Sequence, residues 1–254
     1  MTRVVVSGAG GRMGRLVCEA VADSADLELA GGFDPEKAGQ RVAGIEIAAK
    51  PQSIENAEVV VEFTTPGAVM GNLAEWRRLG LHAVVGTSGF DASRLSELRR
   101  QWGGGPPNCL VVPNFSVGAA LMIRMAELAA PHFAAAEVIE LHHDRKADAP
   151  SGTALSTAAR ITGAGGRQER AVESRELIPG ARGAEVEGVR VHAVRLPGLL
   201  AHQEVLLGSP GETLTIRHDT TDRAAFIPGV LLAIRGVASL ADPVTVGLEA
   251  VLAL

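Results

Sequence analysis

Between an apolar strand, Val4–Ser7, and an amphipathic helix predicted over Arg12–Asp23 lies the run Gly8-Ala9-Gly10-Gly11-Arg12-Met13-Gly14. Glycines there permit a tight turn and let backbone N–H groups approach a pyrophosphate at the positive end of a helix. The spacing Gly8-x-x-Gly11-x-x-Gly14 is a variant of the dinucleotide fingerprint, and a glycine triplet alone is weak. Its context strengthens it. Asp34 ends the next predicted strand, Leu27–Phe33, about 20 residues beyond Gly14, where an acid would accept from the adenosine ribose hydroxyls. The competing reading is a Gly-rich turn of another α/β protein, with Asp34 capping a strand. A carboxylate at that place repels a 2′-phosphate. Arg12, Arg15 and Lys37 could offset the repulsion or be ordinary surface charge.

The first half continues as β-branched runs alternating with helical patterns, the signature of parallel βαβ units. Strands are predicted at Val59–Phe63, Ala83–Val85 and Leu110–Val112, with a helix at Ala68–Leu79, a polar helix ending near Trp102 and a turn at Gly103–Pro107. After Pro113-Asn114-Phe115 the pattern changes. A long helix, Val117–His132, leads to a strand at Glu137–His142, a polar loop to Pro150 and a helix opened by Ser151-Gly152-Thr153, with Ser or Thr as its N-cap. Residues 163–188, rich in Gly and charge, read as an exposed loop. Strands follow at Val189–Leu196, Glu204–Leu207 and Thr213–His218, the last two joined by Ser209-Pro210-Gly211. A final helix, Ala225–Ser239, and an apolar tail, Val244–Leu254, are apolar enough to pack back on the first domain.

Bulk properties narrow the partners. Net charge is −5 with the signs mixed along the chain, which disfavours a nucleic-acid surface. No apolar stretch approaches the roughly 20 residues of a membrane span. No signal-peptide pattern precedes Val4. Two cysteines, Cys18 and Cys109, without CxxC spacing suit a reducing cytosol.

The segment richest in chemistry is Glu140-Leu-His-His-Asp-Arg-Lys-Ala-Asp-Ala-Pro-Ser-Gly-Thr-Ala154. It sets His142, His143 and Lys146 just ahead of a helix N-terminus carrying Ser151, Gly152 and Thr153. Such a terminus is a ready carboxylate site, and lysine and histidine can manage protons. A metal is not expected, because His142 and His143 alternate across a strand and no third ligand has zinc-like spacing. Arg195 is a candidate for a second carboxylate and equally a strand-surface arginine.

This segment resembles the signature of the 4-hydroxy-tetrahydrodipicolinate reductase (dihydrodipicolinate reductase) family. Gly8–Gly14, Glu62-Phe63-Thr64, Gly86-Thr87-Ser88-Gly89 and Pro113-Asn114-Phe115-Ser116-Val117-Gly118 agree in the same order, so the similarity spans essentially the whole chain. The resemblance implies an α/β fold: a Rossmann-like dinucleotide domain, residues 1–115 with 225–254 returning to it, and a smaller mixed-sheet substrate domain, 116–224, that builds a homotetramer. It implies NADH or NADPH as cofactor, a cyclic dicarboxylate as substrate and a cytoplasmic place in lysine and diaminopimelate biosynthesis. His142 and Lys146 would be catalytic. His143, Gly152 and Thr153, with Ser151 and Arg195 as candidates beside them, would hold carboxylates. Gly8 to Met13, Asp34, Gly86, Thr87, Ser88 and Val112 to Phe115 would line the cofactor. Pro35 replaces the arginine that follows the acid in some relatives, and Arg195-Leu-Pro-Gly198 departs from the usual Arg-x-Gly-Asp. Another two-domain nicotinamide reductase, such as an amino-acid dehydrogenase, and a non-catalytic nucleotide sensor are the alternative readings.

Overall fold

The computed structural model describes residues 1–51, 56–166 and 172–252. The chain divides into two units, Met1–Ser116 with Phe226–Leu254, and Val117–Ala225. Part of the expected 163–188 loop, residues 167–171, and the last two residues of the expected tail lie outside the described residues.

In the first unit the strands are β1 (Thr2–Ser7), β2 (Leu27–Phe33), β3 (Arg41–Val42), β4 (Ile45–Ala48), β5 (Val59–Glu62), β6 (His82–Val85), β7 (Cys109–Val111) and β13 (Val244–Val246). They form one eight-stranded sheet ordered β13-β7-β6-β5-β1-β2-β4-β3. All pairs are parallel except β3 with β4. The central strands are apolar without alternation because a parallel sheet is covered on both faces. Val4, Val5 and Val6 are all fully buried. Helices α2 (Val69–Arg78) and α3 (Ala92–Trp102) place Leu73, Trp76, Leu98 and Trp102 in one core with Val5 and Val60. Helix α1 (Arg12–Ala22) packs with α6 (Ile227–Gly236). The returning segment is fastened by Asn108, whose Nδ2 donates to the carbonyls of Val237 (3.1 Å) and Leu240 (3.0 Å).

In the second unit β8 (Ala135–His142), β9 (Ala184–Val186), β10 (Val189–Arg195), β11 (Ala201–Ser209) and β12 (Glu212–Thr220) are ordered β12-β11-β8-β10-β9. Only β8 and β10 pair in parallel. Helices α4 (Val117–Ala129) and α5 (Gly152–Gly163) bury Met122, Ile123, Ala158 and Ile161 against Val138, Val205 and Leu207.

Three expectations need correction. The segment 163–188 is not loop throughout, since β9 occupies Ala184–Val186. The expected Glu204–Leu207 and Thr213–His218 are the middles of longer strands, which run to a two-residue turn at Pro210-Gly211. The hairpin β3–β4 was not expected at all.

Candidate active site

In the second unit the chemistry gathers where β8 ends. Residues two apart on a strand share a face, so Glu140 and His142 stand together. Glu140 is fully buried. Its carboxylate accepts from Arg195 Nη2 at 2.8 Å and Nη1 at 2.9 Å, from Ser151 N at 3.1 Å, and contacts His142 Nδ1 at 2.5 Å. Parallel pairing of β10 with β8 sets Arg195 opposite His142. Three groups from three elements thus converge on one carboxylate. Sequence reasoning gave Glu140 no role, although its place two residues before His142 was the available signal.

Each pKa shift here has a stated origin. Burial lowers the pKa of His142; the Glu140 carboxylate opposes it, and the charges of Lys146 and Arg195 add to it. Burial pushes Glu140 upward, but hydrogen bonds from Arg195 and His142 outweigh that and hold it below the ordinary carboxylate range. A carboxylate that only accepts keeps the imidazole proton on Nδ1, so neutral His142 carries its lone pair on Nε2.

Lys146 Nζ sits between both Asp148 oxygens, at 2.8 and 2.9 Å, with its side chain 21% exposed. The Asp148 carbonyl accepts from Arg195 Nη2 at 2.6 Å, tying the Lys146 loop to the same guanidinium. Ser151 is turned inward. Its hydroxyl caps α5 by accepting from Ala154 N at 3.2 Å, and its own N–H is spent on Glu140. Gly152 is exposed, with open space where a side chain would stand, and Thr153 is half-buried beside it. The Nδ1 of His143 is buried without a hydrogen-bond partner among the described residues. Arg195 is the residue whose placement differs most from a free carboxylate ligand, because its guanidinium is forked onto Glu140.

The first unit holds the glycine turn. Gly8 adopts φ +79, and a Cβ there would stand 2.3 Å from the Phe63 carbonyl; one at Gly14 would stand 2.0 Å from the Gly8 carbonyl. Only glycine lets α1 and β1 approach so closely. The turn's own N–H groups are largely used: Gly8 and Ala9 donate to Phe33 O, Gly11 to Gly8 O, and Gly10 to Asp34 Oδ2 at 3.1 Å. Helix α1 has no side-chain cap, so the N–H groups of Arg12 and Met13 stand at its open positive end. A cleft of about 350 Å³ beside the turn is walled by Gly8, Gly11, Asp34, Phe63, Thr64 and Asn72. A cleft beside the turn, an uncapped helix end and a carboxylate at the rim fit a dinucleotide.

The remaining expected lining residues are placed unevenly. Thr87 is buried, its hydroxyl accepting from Thr64 N at 2.9 Å and donating to Glu62 O at 3.2 Å. Ser88 and Pro113 are exposed, Asn114 is half-buried, and Val112 and Phe115 are buried. Gly86 makes room for the Phe63 ring, which packs on Phe115 with centroids 5.5 Å apart. Glu62 and Thr64 entered the sequence reading only within the run Glu62-Phe63-Thr64, with no role, and Asn72 was not singled out. Among the described residues no group of three His, Cys, Asp or Glu could hold a metal, and no helix is long and apolar enough to cross a membrane.

A parallel sheet carrying this turn, and a second unit with a histidine, lysine and helix-end cluster, define a nicotinamide-dependent oxidoreductase class. The comparisons narrow it. The model named dihydrodipicolinate reductase, N-terminus, matches residues 2–115, and the one named dihydrodipicolinate reductase, C-terminus, matches 118–252. The 4-hydroxy-tetrahydrodipicolinate reductase of Thermobifida fusca (strain YX) is 50% identical, covering 100% of both chains. That of Cutibacterium acnes (strain DSM 16379 / KPA171202) is 48% identical, again over 100% of both. Among solved structures, the dipicolinate-bound dihydrodipicolinate reductase from Paenisporosarcina sp. TG-14 superposes with TM-score 0.84 at 34% identity, covering 98% of each chain. The chain belongs to the dihydrodipicolinate reductase family and is an NAD(P)H-dependent oxidoreductase of lysine and diaminopimelate biosynthesis.

Proposed function

We propose that the protein reduces 4-hydroxy-tetrahydrodipicolinate, or its dehydrated form, to tetrahydrodipicolinate in the cytoplasm. The observation that carries this reading is the convergence of His142, Arg195 and the start of α5 on buried Glu140, with Lys146 on the adjoining loop. The cofactor, when bound at the Gly8–Gly14 turn, supplies the hydride. The unit 1 residues proposed to hold it are Gly8 to Met13 and Asp34, with Gly86, Ser88 and Val112 to Phe115 near the nicotinamide half.

The substrate is a dicarboxylate, and positive groups must offset it. The N–H groups of Gly152 and Thr153 form a helix end suited to one carboxylate, and His143 and Lys146 supply the remaining donors. Because His142 is held neutral with its proton on Nδ1, Lys146 is the group with a proton to give as the reduced ring accepts one. His142 Nε2 can accept and relay. Arg195 holds Glu140 in place and contributes its charge from behind. The test is loss of NAD(P)H absorbance on adding enzymatically generated substrate; no oxidation at any substrate concentration would reject the reading.

Asp34 bears on cofactor choice. Both of its oxygens accept backbone N–H groups, from Gly10 and Glu36, each at 3.1 Å. That fixes the carboxylate at the rim for the ribose hydroxyls. A 2′-phosphate there meets a charge repulsion of about 1 kcal/mol at 4 Å in water-like surroundings. Pro35 has no guanidinium to offset it, and Arg15 is engaged by Gly10 O and Gln40. NADH should therefore be used at least as well as NADPH, and Asp34→Ser should shift preference toward NADPH. A wild-type preference for NADPH of about a hundredfold, roughly 2.7 kcal/mol, contradicts this.

Assembly as a homotetramer through the second-unit sheet is also proposed. The sheet face opposite α4 and α5 carries half-buried Ile139 and Leu141 on β8, with half-buried Leu206 on β11. Such a face suits burial against a copy. Light scattering at working concentration should give about four times the chain mass, and a monomer throughout would remove the proposal.

A further inference from the structure

Beneath the cleft of the first unit lies a second fully buried carboxylate, Glu62 at the end of β5. Asn72 Nδ2 donates to its Oε1 at 3.1 Å, Trp76 Nε1 donates to its Oε2 at 2.8 Å, and the Thr64 hydroxyl donates to Oε1. Its backbone carbonyl accepts from Gly86 N, Thr87 N and the Thr87 hydroxyl, which ties the turn after β5 to the turn after β6. Neither Asn72 nor Thr64 is buried outright, and both wall the cleft.

The polarity of that wall follows from what Glu62 consumes. The Thr64 proton is committed to the carboxylate, leaving lone pairs. The Asn72 amide must turn its nitrogen to an acceptor-only group, and Nδ2 also reaches Thr64 Oγ1 at 3.4 Å. What remains for the cleft is Asn72 Oδ1 and a Thr64 lone pair, both acceptors. We propose that Glu62 is a positioning residue that sets Thr64 and Asn72 as acceptors, so that the cleft selects a hydrogen-bond donor of the cofactor's adenosine half. This rests on the assignment of the cleft to the cofactor. Adenosine offers donors at its ribose hydroxyls and at the adenine 6-amino group. Asp34 already answers the ribose, which makes the 6-amino group the favoured donor.

The test uses the full-length protein and reads binding directly, by fluorescence titration with NADH and with its hypoxanthine analogue, which lacks the 6-amino group. With the amino group as donor, wild type binds NADH about tenfold more tightly than the analogue, the worth of one well-made hydrogen bond, and Glu62→Gln abolishes the difference. With a ribose hydroxyl as donor, wild type binds both alike and Glu62→Gln weakens both about tenfold. The KM for the dicarboxylate should stay within about twofold in either case. Glu62→Gln that is folded and binds NADH as wild type does overturns the proposal. Should that variant fail to fold, Asn72→Ala removes a cleft acceptor while keeping Glu62, and unchanged NADH affinity in it overturns the proposal equally. Wild-type protein that binds neither nucleotide would instead refute the cofactor assignment itself.

Discussion

Lys146→Ala should lower kcat by about two to four orders of magnitude, the range set by loss of a general acid. Three features of the site set this expectation. The ammonium is partly shielded, held by the two oxygens of Asp148. Its charge reaches His142 and helps to lower that histidine's pKa. His142 in turn has its Nδ1 proton directed to Glu140, so His142 is poorly placed to replace the lost proton donor. NADH affinity should stay within about twofold, because the Gly8–Gly14 turn is held by bonds within its own unit. Asp148→Asn, which loosens Lys146 without removing it, should cost far less. Single-turnover rates with saturating cofactor check this, and a near-normal rate in Lys146→Ala would assign the proton to another group.

Glu140→Ala should be the most damaging single change for stability in the second unit. It leaves the Arg195 guanidinium, 19% exposed, without its forked partner and strands the buried N–H of Ser151. Removing one member of a buried ion pair costs about 3–5 kcal/mol. The lower end is expected, because Arg195 keeps some solvent and the carbonyls of Val194 and Asp148. Turnover should fall at least tenfold as His142 loses its orienting partner. Acid should mimic the substitution. Glu140 titrates lower in the folded protein than when unfolded, so its stabilisation is present above about pH 4.5 and fades as the pH falls through the folded value. His142 is also depressed, so its unfolded form takes up the proton first, and that contribution is present above about pH 6.5 and fades on acidification. Both act in one direction. Thermal melts from neutral to acid should show wild type losing stability steadily, with a shallower loss in Glu140→Ala. Equal slopes and equal midpoints in the two proteins would show that this carboxylate holds nothing together.

What was readable from the residues alone, and what was not, divides along physical lines. The parallel sheet was legible because Val4–Ser7, Val59–Phe63 and Ala83–Val85 are largely apolar runs of strand length separated by helical periodicity. The turns that failed to announce themselves are instructive. Hairpin β3–β4 turns at Ala43-Gly44 and β9–β10 at Glu187-Gly188, with φ of 46 and 85 in the first and 50 and 85 in the second. Two successive positive φ values usually advertise themselves as Asn-Gly or Asp-Gly, and Ala and Glu carry no such signal. In the site, His142 and Lys146 stood out as protic groups near a capped helix. The pairing of Arg195 with Glu140 depends on the parallel register of β10 and β8, which brings positions 55 residues apart together. No local pattern encodes that. The role of Ser151 was only half visible: a Ser or Thr cap could be read from the helix start, while the choice of Ser151 and its N–H bond to Glu140 could not.

The most direct test of the central claim is steady-state oxidation of NADH by the purified protein, with the cyclic dicarboxylate generated in the cuvette. Oxidation that requires the dicarboxylate and falls at least a hundredfold in Lys146→Ala is the predicted result. NADH oxidation that proceeds equally without the dicarboxylate, or that is indifferent to Lys146→Ala, would contradict it.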